Sequence, residues 1–163
     1  MRKQALEVSI TIVLTLVLVL ASTAVAADPF AGTWKLNLEK SKFSPGPAPQ
    51  SRTLKIEAQE NGYKAVVDSV DSQGKPTHTE MTINYDGKDN PLTRTAGGQS
   101  GELTIATKKI DATTHESVIK LGGKEVQVMR EVVSRDGKTL TRTSKGMNAQ
   151  GQEVNNTVVF DRQ

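Results

Sequence analysis

The chain contains no cysteine, few aromatic residues and no block of charge of one sign. Without cysteine it has no disulfides, no thiolate chemistry and no lipidation site, so a folded domain depends on its core alone. Its 21 basic and 18 acidic residues alternate along the sequence and leave a net charge of +3. Nucleic-acid binding would need a basic stripe with interleaved aromatic residues, so we expect no nucleic-acid partner.

Long hydrophobic runs are also absent, except at the N terminus. Arg2 and Lys3 precede an apolar stretch over residues 8–20, and small residues follow at Ala24-Val25-Ala26. This order is typical of a secretory signal peptide, and the apolar stretch is shorter than the roughly 20 residues that cross a bilayer. We therefore predict a signal peptide over residues 1–26 with cleavage after Ala26, and a secreted or periplasmic protein; an uncleaved anchor is the alternative. Residues 27–163 have the size of one domain, which we expect to be a monomer.

What the remaining sequence does contain is a regular series of turns. Turn pairs such as Asn61-Gly62 and Asp136-Gly137 recur between runs rich in Thr and Val that alternate apolar and polar residues. This pattern is typical of consecutive antiparallel hairpins, and no segment after the signal peptide predicts a helix. Three of the six prolines fall in one loop, residues 44–49. We predict ten strands at about 33–38, 52–60, 63–70, 77–85, 92–95, 101–109, 114–121, 124–134, 138–145 and 152–161.

The alternation also predicts which side of each strand faces the core, because successive side chains in a strand point to opposite faces. One face is apolar and the other is mostly charged or polar, which indicates a single antiparallel up-and-down β-barrel of about ten strands. A two-sheet β-sandwich stays open, since hairpin spacing alone does not show that a sheet closes. We expect Trp34, the only tryptophan, to plug one end. The predicted inward face also includes Leu38, Leu54, Ile56, Ala58, Ile83, Tyr85, Leu121, Val126, Val128, Val132, Leu140 and Phe160.

A few polar residues share this inward register and are the candidate ligand-binding residues. Two of them are arginines: Arg130, in register with Val128, and Arg142, two residues after Leu140. The others, which would line the interior, are His115, Ser117, Asn156 and Tyr85. A guanidinium facing an apolar interior costs several kcal/mol unless a charge answers it. Arg130 and Arg142 are therefore predicted to bind a ligand carboxylate while the apolar lining holds its tail. The alternative is that a glutamate of the chain pairs with each arginine.

Catalytic patterns are absent from the sequence. The two histidines, His78 and His115, lie on separate strands, no spacing suits a metal site, and no nucleophile elbow precedes a serine. We therefore predict no catalytic residues, no metal and no cofactor. Two alternatives to ligand binding remain: a solidly packed interaction module, such as an envelope protein or an inhibitor, and an enzyme at the barrel mouth. The enzyme would require His115 close to an acid and a shifted pKa.

Two segments resemble the calycin superfamily, which comprises the lipocalins and the fatty-acid-binding proteins. Phe30-Ala31-Gly32-Thr33-Trp34-Lys35-Leu36 is similar to the motif that opens the first barrel strand in both branches. Gly122-Gly123-Lys124-Glu125, followed by residues 126–131, is similar to a late hairpin of the fatty-acid-binding branch. The chain thus looks like a small bacterial lipocalin-like protein. The resemblance implies a hydrophobic ligand and places Arg130 where that branch keeps an inward arginine.

The sequence also departs from this resemblance at three places. Residues 39–50 contain three prolines and cannot form the two helices that cover the entrance in the fatty-acid-binding branch. The Arg-x-Tyr on the final strand of that branch corresponds here to Val158-Val159-Phe160. We also expect no helix after the barrel, in contrast to a typical lipocalin. A neutral apolar ligand is therefore as compatible with the sequence as a fatty acid.

Overall fold

The computed structural model describes residues 28–92, 103–148 and 151–163, which form ten antiparallel β-strands. The predicted signal peptide with its cleavage site at Ala26, and most of the predicted fifth strand at 92–95, lie outside these residues. No helix long and apolar enough to cross a membrane occurs in the described ranges. The strands are β1 (Gly32–Lys42), β2 (Ser51–Gln59), β3 (Gly62–Val70), β4 (Pro76–Asn84), β5 (Asn90–Pro91), β6 (Leu103–Asp111), β7 (Thr114–Leu121), β8 (Lys124–Val133), β9 (Thr139–Met147) and β10 (Glu153–Arg162).

All ten strands belong to one up-and-down sheet. The spatial order is β4-β3-β2-β1-β10-β9-β8-β7-β6-β5, so the first and last strands pair with each other in its middle. The sheet curls until its edges β4 and β5 come close, where Asn84 Nδ2 donates to Asn90 Oδ1 at 3.0 Å. The result is a nearly closed barrel, which confirms the predicted all-β, up-and-down fold and excludes the two-sheet sandwich.

The segment just before β1 closes one end of the barrel, which we call the floor. Phe30 and Trp34 are fully buried there, and Trp34 Nε1 donates to the Phe30 carbonyl at 2.8 Å. The Arg162 guanidinium lies 4.1 Å from the centre of the Trp34 ring. It also donates to the carbonyls of Gly137, Ala31 and Pro29, and so joins the last strand to the floor. Trp34 therefore plugs one end, as predicted.

A β-bulge at Val126 changes which side of β8 faces the interior. Ile119 pairs with Gln127 whereas Lys120 pairs with Glu125, so Val126 is an extra residue on β8. Gly146 on β9 makes room for the bulge, because a Cβ built there would lie 2.1 Å from the Val126 carbonyl oxygen. Bulges of this kind break the two-residue alternation of a strand. After Val126, the inward residues are Met129, Glu131 and Val133, and the outward ones include Val128 and Arg130.

Several predicted inward residues are therefore wrong, each for a local reason. Val128 is exposed and Val133, not Val132, is buried, because of the bulge. Leu38 is exposed because the pairing of β1 with β10 is irregular between Asn37 and Lys42. Ala58 and Leu121 pair with Tyr63 and Leu103, so their inward register is as predicted, but they lie at strand ends beside hairpin turns and are exposed.

Candidate functional site in the barrel interior

One wall of the interior is polar, and the strand register builds it. His115 on β7 is the direct partner of Glu131 on β8, which is the direct partner of Arg142 on β9. We call these three residues the polar row. Direct partners in an antiparallel sheet have Cβ atoms about 4.5–5.5 Å apart on the same face. The facing wall, on β1–β4, is apolar and includes Trp34, Leu54, Ile56, Ala65 and Ile83.

A second polar row lies one step further from the floor. The register aligns Thr107, Ser117, Met129, Ser144 and Asn156 across β6 to β10. Thr107 and Ser117 are buried, and their hydroxyl oxygens lie 2.9 Å apart. The interior therefore has hydroxyl groups on the same side as the polar row, opposite the apolar wall.

Arg142 and Glu131 form an ion pair inside the barrel. Nε and Nη2 of Arg142 both donate to Glu131 Oε1, at 2.8 and 2.6 Å. Tyr63 donates its hydroxyl to Glu131 Oε2 at 3.3 Å. The side chains are 22% and 3% exposed for Arg142 and Glu131 respectively. The charge on the inward arginine is thus answered by a glutamate of the chain, which was the alternative considered from the sequence.

The ion pair affects the ionisation of both groups around Glu131. Burial opposes the charged guanidinium, but the Glu131 carboxylate is close enough that the pKa of Arg142 is raised. Burial, together with the negative charge on Glu131, raises the pKa of Tyr63 well above its ordinary value. Tyr63 is therefore a neutral donor and Arg142 a fixed cation at any physiological pH.

His115 is fully buried at the floor, in a cluster of aromatic rings. It stacks on Phe30 with ring centres 3.7 Å apart and lies 4.5 Å from the Tyr85 ring at an angle of 52°. In the described part of the chain, both ring nitrogens of His115 and the hydroxyl of Tyr85 lack a hydrogen-bond partner. Burial lowers the pKa of His115, so its imidazole is neutral at pH 7. The outer side of the Tyr85 ring borders a surface groove at the floor, lined also by Asp28, Asn61, Asn84 and Lys109.

The two remaining predicted site residues have other roles. Arg130 lies on the outside of the barrel, 3.7 Å from Glu116, and its side chain is 49% exposed. Its predicted inward position is wrong because the bulge at Val126 reverses the alternation, so it cannot join Arg142 in binding a carboxylate inside the barrel. Asn156 does face the interior row, but its Oδ1 accepts from the Ser44 amide at 2.7 Å and holds the β1–β2 loop.

At the end of the barrel opposite the floor, which we call the open end, apolar side chains of the described residues are partly exposed. Seven hydrophobic side chains there and in the middle of the barrel pack against the buried core and stay partly exposed: Phe43, Val67, Met81, Leu92, Leu103, Val126 and Met129. At the floor, by contrast, Phe30, Trp34 and Phe160 are fully buried. A ligand would therefore meet apolar side chains first and the polar row deeper inside.

The residues considered for an enzyme do not form a hydrogen-bonded catalytic set in the described part of the chain. His115 is opposite an acid, and its pKa is shifted, but neither of its nitrogens is bonded to Glu131, whose oxygens are held by Arg142 and Tyr63. Ser117 bonds Thr107 instead of His115. His78 is on the outside, as predicted, with its Nδ1 2.6 Å from Asp68. No group of acidic or histidine side chains that could hold a metal ion occurs in residues 28–92, 103–148 and 151–163.

The fold is shared with a bile acid-binding protein. The ileal bile acid-binding protein of zebrafish, solved in complex with cholic acid, matches 83% of this chain and 99% of its own length with a TM-score of 0.50. The two sequences are 12% identical, so the comparison shows a common fold alone. No family model matches the sequence, and no curated protein is similar to it.

Glu131 is the functional residue that reasoning from the sequence missed. A signal for it was present, since residues at equal distances from the turn Asp136-Gly137 pair across the β8–β9 hairpin, and these include Glu131 and Arg142. An inward Arg142 therefore required Glu131 to be inward as well. Unbroken alternation from Val126 along β8 instead predicts that Glu131 faces outward. The two strands thus give opposite predictions for Glu131, and this disagreement indicates a bulge in β8.

Proposed function

We propose that this protein is a secreted or periplasmic binding protein that holds a small hydrophobic molecule inside the barrel, without chemical turnover. The observation that carries the proposal is the asymmetry of the interior. Phe30 and Trp34 at the floor are fully buried, whereas seven apolar side chains in the middle of the barrel and toward the open end pack against the core and stay partly exposed. Small-molecule pockets are typically lined by apolar side chains with a few polar groups that orient the ligand, and the barrel interior contains both kinds of side chain.

The fold comparison supports this proposal in a general way. The zebrafish protein that shares the fold was solved with cholic acid, a molecule with a large apolar surface. The signal-peptide pattern at residues 1–26 is the support for the extracellular setting.

Burial of an apolar tail would supply most of the affinity. At about 0.8 kcal/mol for each buried CH₂, a tail of ten carbons contributes roughly 8 kcal/mol before the costs of binding. The loss of translational and rotational freedom offsets at least about 4 kcal/mol of this. Micromolar affinity requires about 8 kcal/mol in total, so a polar contact must add to the apolar one.

The proposal can be tested with a neutral fluorescent probe, N-phenyl-1-naphthylamine, and one variant that fills the interior. Val67 faces the interior near the open end and packs against the core. Val67→Trp should occupy part of the ligand volume and lower the affinity for the probe at least about tenfold, which corresponds to 1.4 kcal/mol.

The neighbouring residue provides the matched control. Val66 pairs with Lys55 and Glu80 on the outer face of the same strand. Val66→Trp should therefore leave the affinity for the probe unchanged. If the wild-type protein does not bind the probe, or if both variants bind it as well as the wild type, the interior is not a binding site, and the solidly packed interaction module becomes the better description.

A further inference from the structure

The floor of the barrel contains an unusual concentration of unsatisfied polar atoms. In the described residues, four buried side-chain atoms lack a hydrogen-bond partner, and three of them are His115 Nδ1, His115 Nε2 and Tyr85 Oη. The two rings that carry these atoms are neighbours, with centres 4.5 Å apart. A buried polar atom without a partner destabilises the fold, so such groups in a native structure call for an occupant.

The chemistry of these atoms indicates which occupant would satisfy them. A neutral imidazole offers one donor and one acceptor, and a phenol hydroxyl can do either. An alcohol can donate to the imidazole acceptor and accept from Tyr85, whereas a carbonyl oxygen can accept from the imidazole N–H or from Tyr85. Both are uncharged groups.

The charges around His115 disfavour an anion at the same place. Three negative charges, on Asp28, Asp111 and Glu131, interact electrostatically with the His115 ring. One positive charge, on Lys109, does so as well. Arg142 is the inward cation that could attract a carboxylate, but two of its three guanidinium nitrogens donate to Glu131. The pair is neutral as a unit, so a buried carboxylate would lose its hydration and find no uncompensated positive charge.

We propose that the bound molecule carries an uncharged polar group, an alcohol or a carbonyl, which is hydrogen-bonded by His115 and Tyr85 at the floor, and that the closed Glu131–Arg142 pair makes the barrel discriminate against carboxylates. This inference rests on the proposed function and specifies the class of ligand. It also explains why an inward arginine is present without serving as an anion site.

The test compares two ligands that differ in the polar group and share a chain of twelve carbons. Dodecan-1-ol and dodecanoate displace N-phenyl-1-naphthylamine from the purified protein at pH 8, where the carboxylate is fully ionised. We expect dodecan-1-ol to bind about tenfold more tightly than dodecanoate. This is the gain in affinity that one or two hydrogen bonds contribute in a buried site.

Two variants then separate the contributions of the residues. Tyr85→Phe removes one hydroxyl from a ring that otherwise keeps its packing, and it should reduce the preference for dodecan-1-ol over dodecanoate by about threefold or more. Glu131→Gln leaves the Arg142 guanidinium uncompensated and should reverse the preference, because dodecanoate can then take the place of the lost carboxylate. Glu116→Gln is the matched control, since it removes the same charge from the outward Glu116–Arg130 pair and should leave the preference unchanged.

The outcomes distinguish this inference from the proposed function. If the probe binds but dodecanoate binds as tightly as dodecan-1-ol, or if Tyr85→Phe leaves the preference intact, the inference is wrong and the proposed function stands. If Glu131→Gln proves too unstable to assay, Tyr85→Phe and the wild-type preference still decide. Failure of the wild-type protein to bind the probe at all would overturn both.

Discussion

At the scale of single residues, the chain offers the same pair of charged groups in two environments. Glu131–Arg142 lies inside the barrel, and Glu116–Arg130 lies outside on the neighbouring strands, half-exposed. Removing one partner of a buried pair leaves an unanswered charge and costs about 3–5 kcal/mol, whereas an exposed pair contributes about 0–1 kcal/mol.

Arg142→Leu should therefore lower the free energy of unfolding by about 3–5 kcal/mol, and Arg130→Leu by less than about 1 kcal/mol. Urea denaturation at pH 7 measures both. Equal losses in the two variants would mean that Glu131 reaches solvent and that the inner pair is not the buried unit described above.

His115 gives the fold a defined dependence on pH. Burial lowers its pKa below the ordinary value of 6.5, while Glu131, Asp28 and Asp111 oppose this and Lys109 adds to it. Below about pH 6.5 the unfolded state therefore binds a proton that the folded state does not, and stability falls until the folded-state pKa is reached. His115→Phe should flatten this decline and raise stability at pH 7 by about 1 kcal/mol, because it removes two unpartnered polar atoms and keeps the stacking on Phe30.

The exposed His78 should behave in the opposite sense. Its hydrogen bonds to Asp68 and Glu80 raise its pKa. The stability it contributes is thus present below about pH 6.5 and is lost as the pH rises through the folded-state pKa. Thermal unfolding followed between pH 8 and pH 5 measures how stability declines on acidification. His78→Gln should make this decline steeper, whereas His115→Phe should make it flatter. Changes of the same sign in both variants would contradict the assignment of His115 as the buried, neutral histidine.

At the scale of elements, the bulge at Val126 decides which residues of β8 form the site. Gly146 adopts φ +138° opposite the bulge, and an added Cβ would lie 2.1 Å from the Val126 oxygen. Gly122, in the β7–β8 turn, also has positive φ, at +56°, but nothing lies within 4 Å of an added Cβ. Gly122→Ala should thus cost only the backbone term, about 1–2 kcal/mol.

Gly146→Ala should add a steric clash to that backbone term and cost at least about 2 kcal/mol more. It should also accelerate amide hydrogen exchange in β8 and β9 beyond any change in the remaining strands. A cost no larger than that of Gly122→Ala would show that the bulge can move along β8, and Glu131 would then have no fixed inward position.

The same element shows what the sequence could and could not predict. Turn pairs and period-two runs place nine of the ten strands within a few residues, because hairpin geometry is local. The inward positions of Arg142, His115 and Asn156 follow from alternation and are confirmed. The predicted inward position of Arg130 was wrong because the bulge depends on close contact between β8 and β9 around Gly146. The sequence of β8 alone does not indicate that contact.

At the scale of the whole molecule, the two ends of the barrel differ in how they are closed. Residues 28–31 and Trp34 seal the floor, and Arg162 ties them to the last strand. The open end is bordered by the β1–β2 loop, where Ser44 is held by Asn156 but Phe43 stays partly exposed. If ligands enter the barrel, the open end offers the route with the least disruption of buried groups, and the groove beside Tyr85 at the floor is the rival route.

The absence of cysteine allows this to be tested with single labels. Ser44→Cys at the open end and Asn61→Cys in the turn beside the floor groove each place one thiol at an exposed position for an environment-sensitive fluorophore. Because a ligand that enters at the open end must pass the β1–β2 loop before its hydroxyl reaches Tyr85, dodecan-1-ol should change the emission of the label at 44 in stopped-flow mixing no later than that of the label at 61. A response confined to position 61 would instead identify the groove beside Tyr85 as the entrance, and the floor seal of Phe30 and Trp34 would then be the moving part of the molecule.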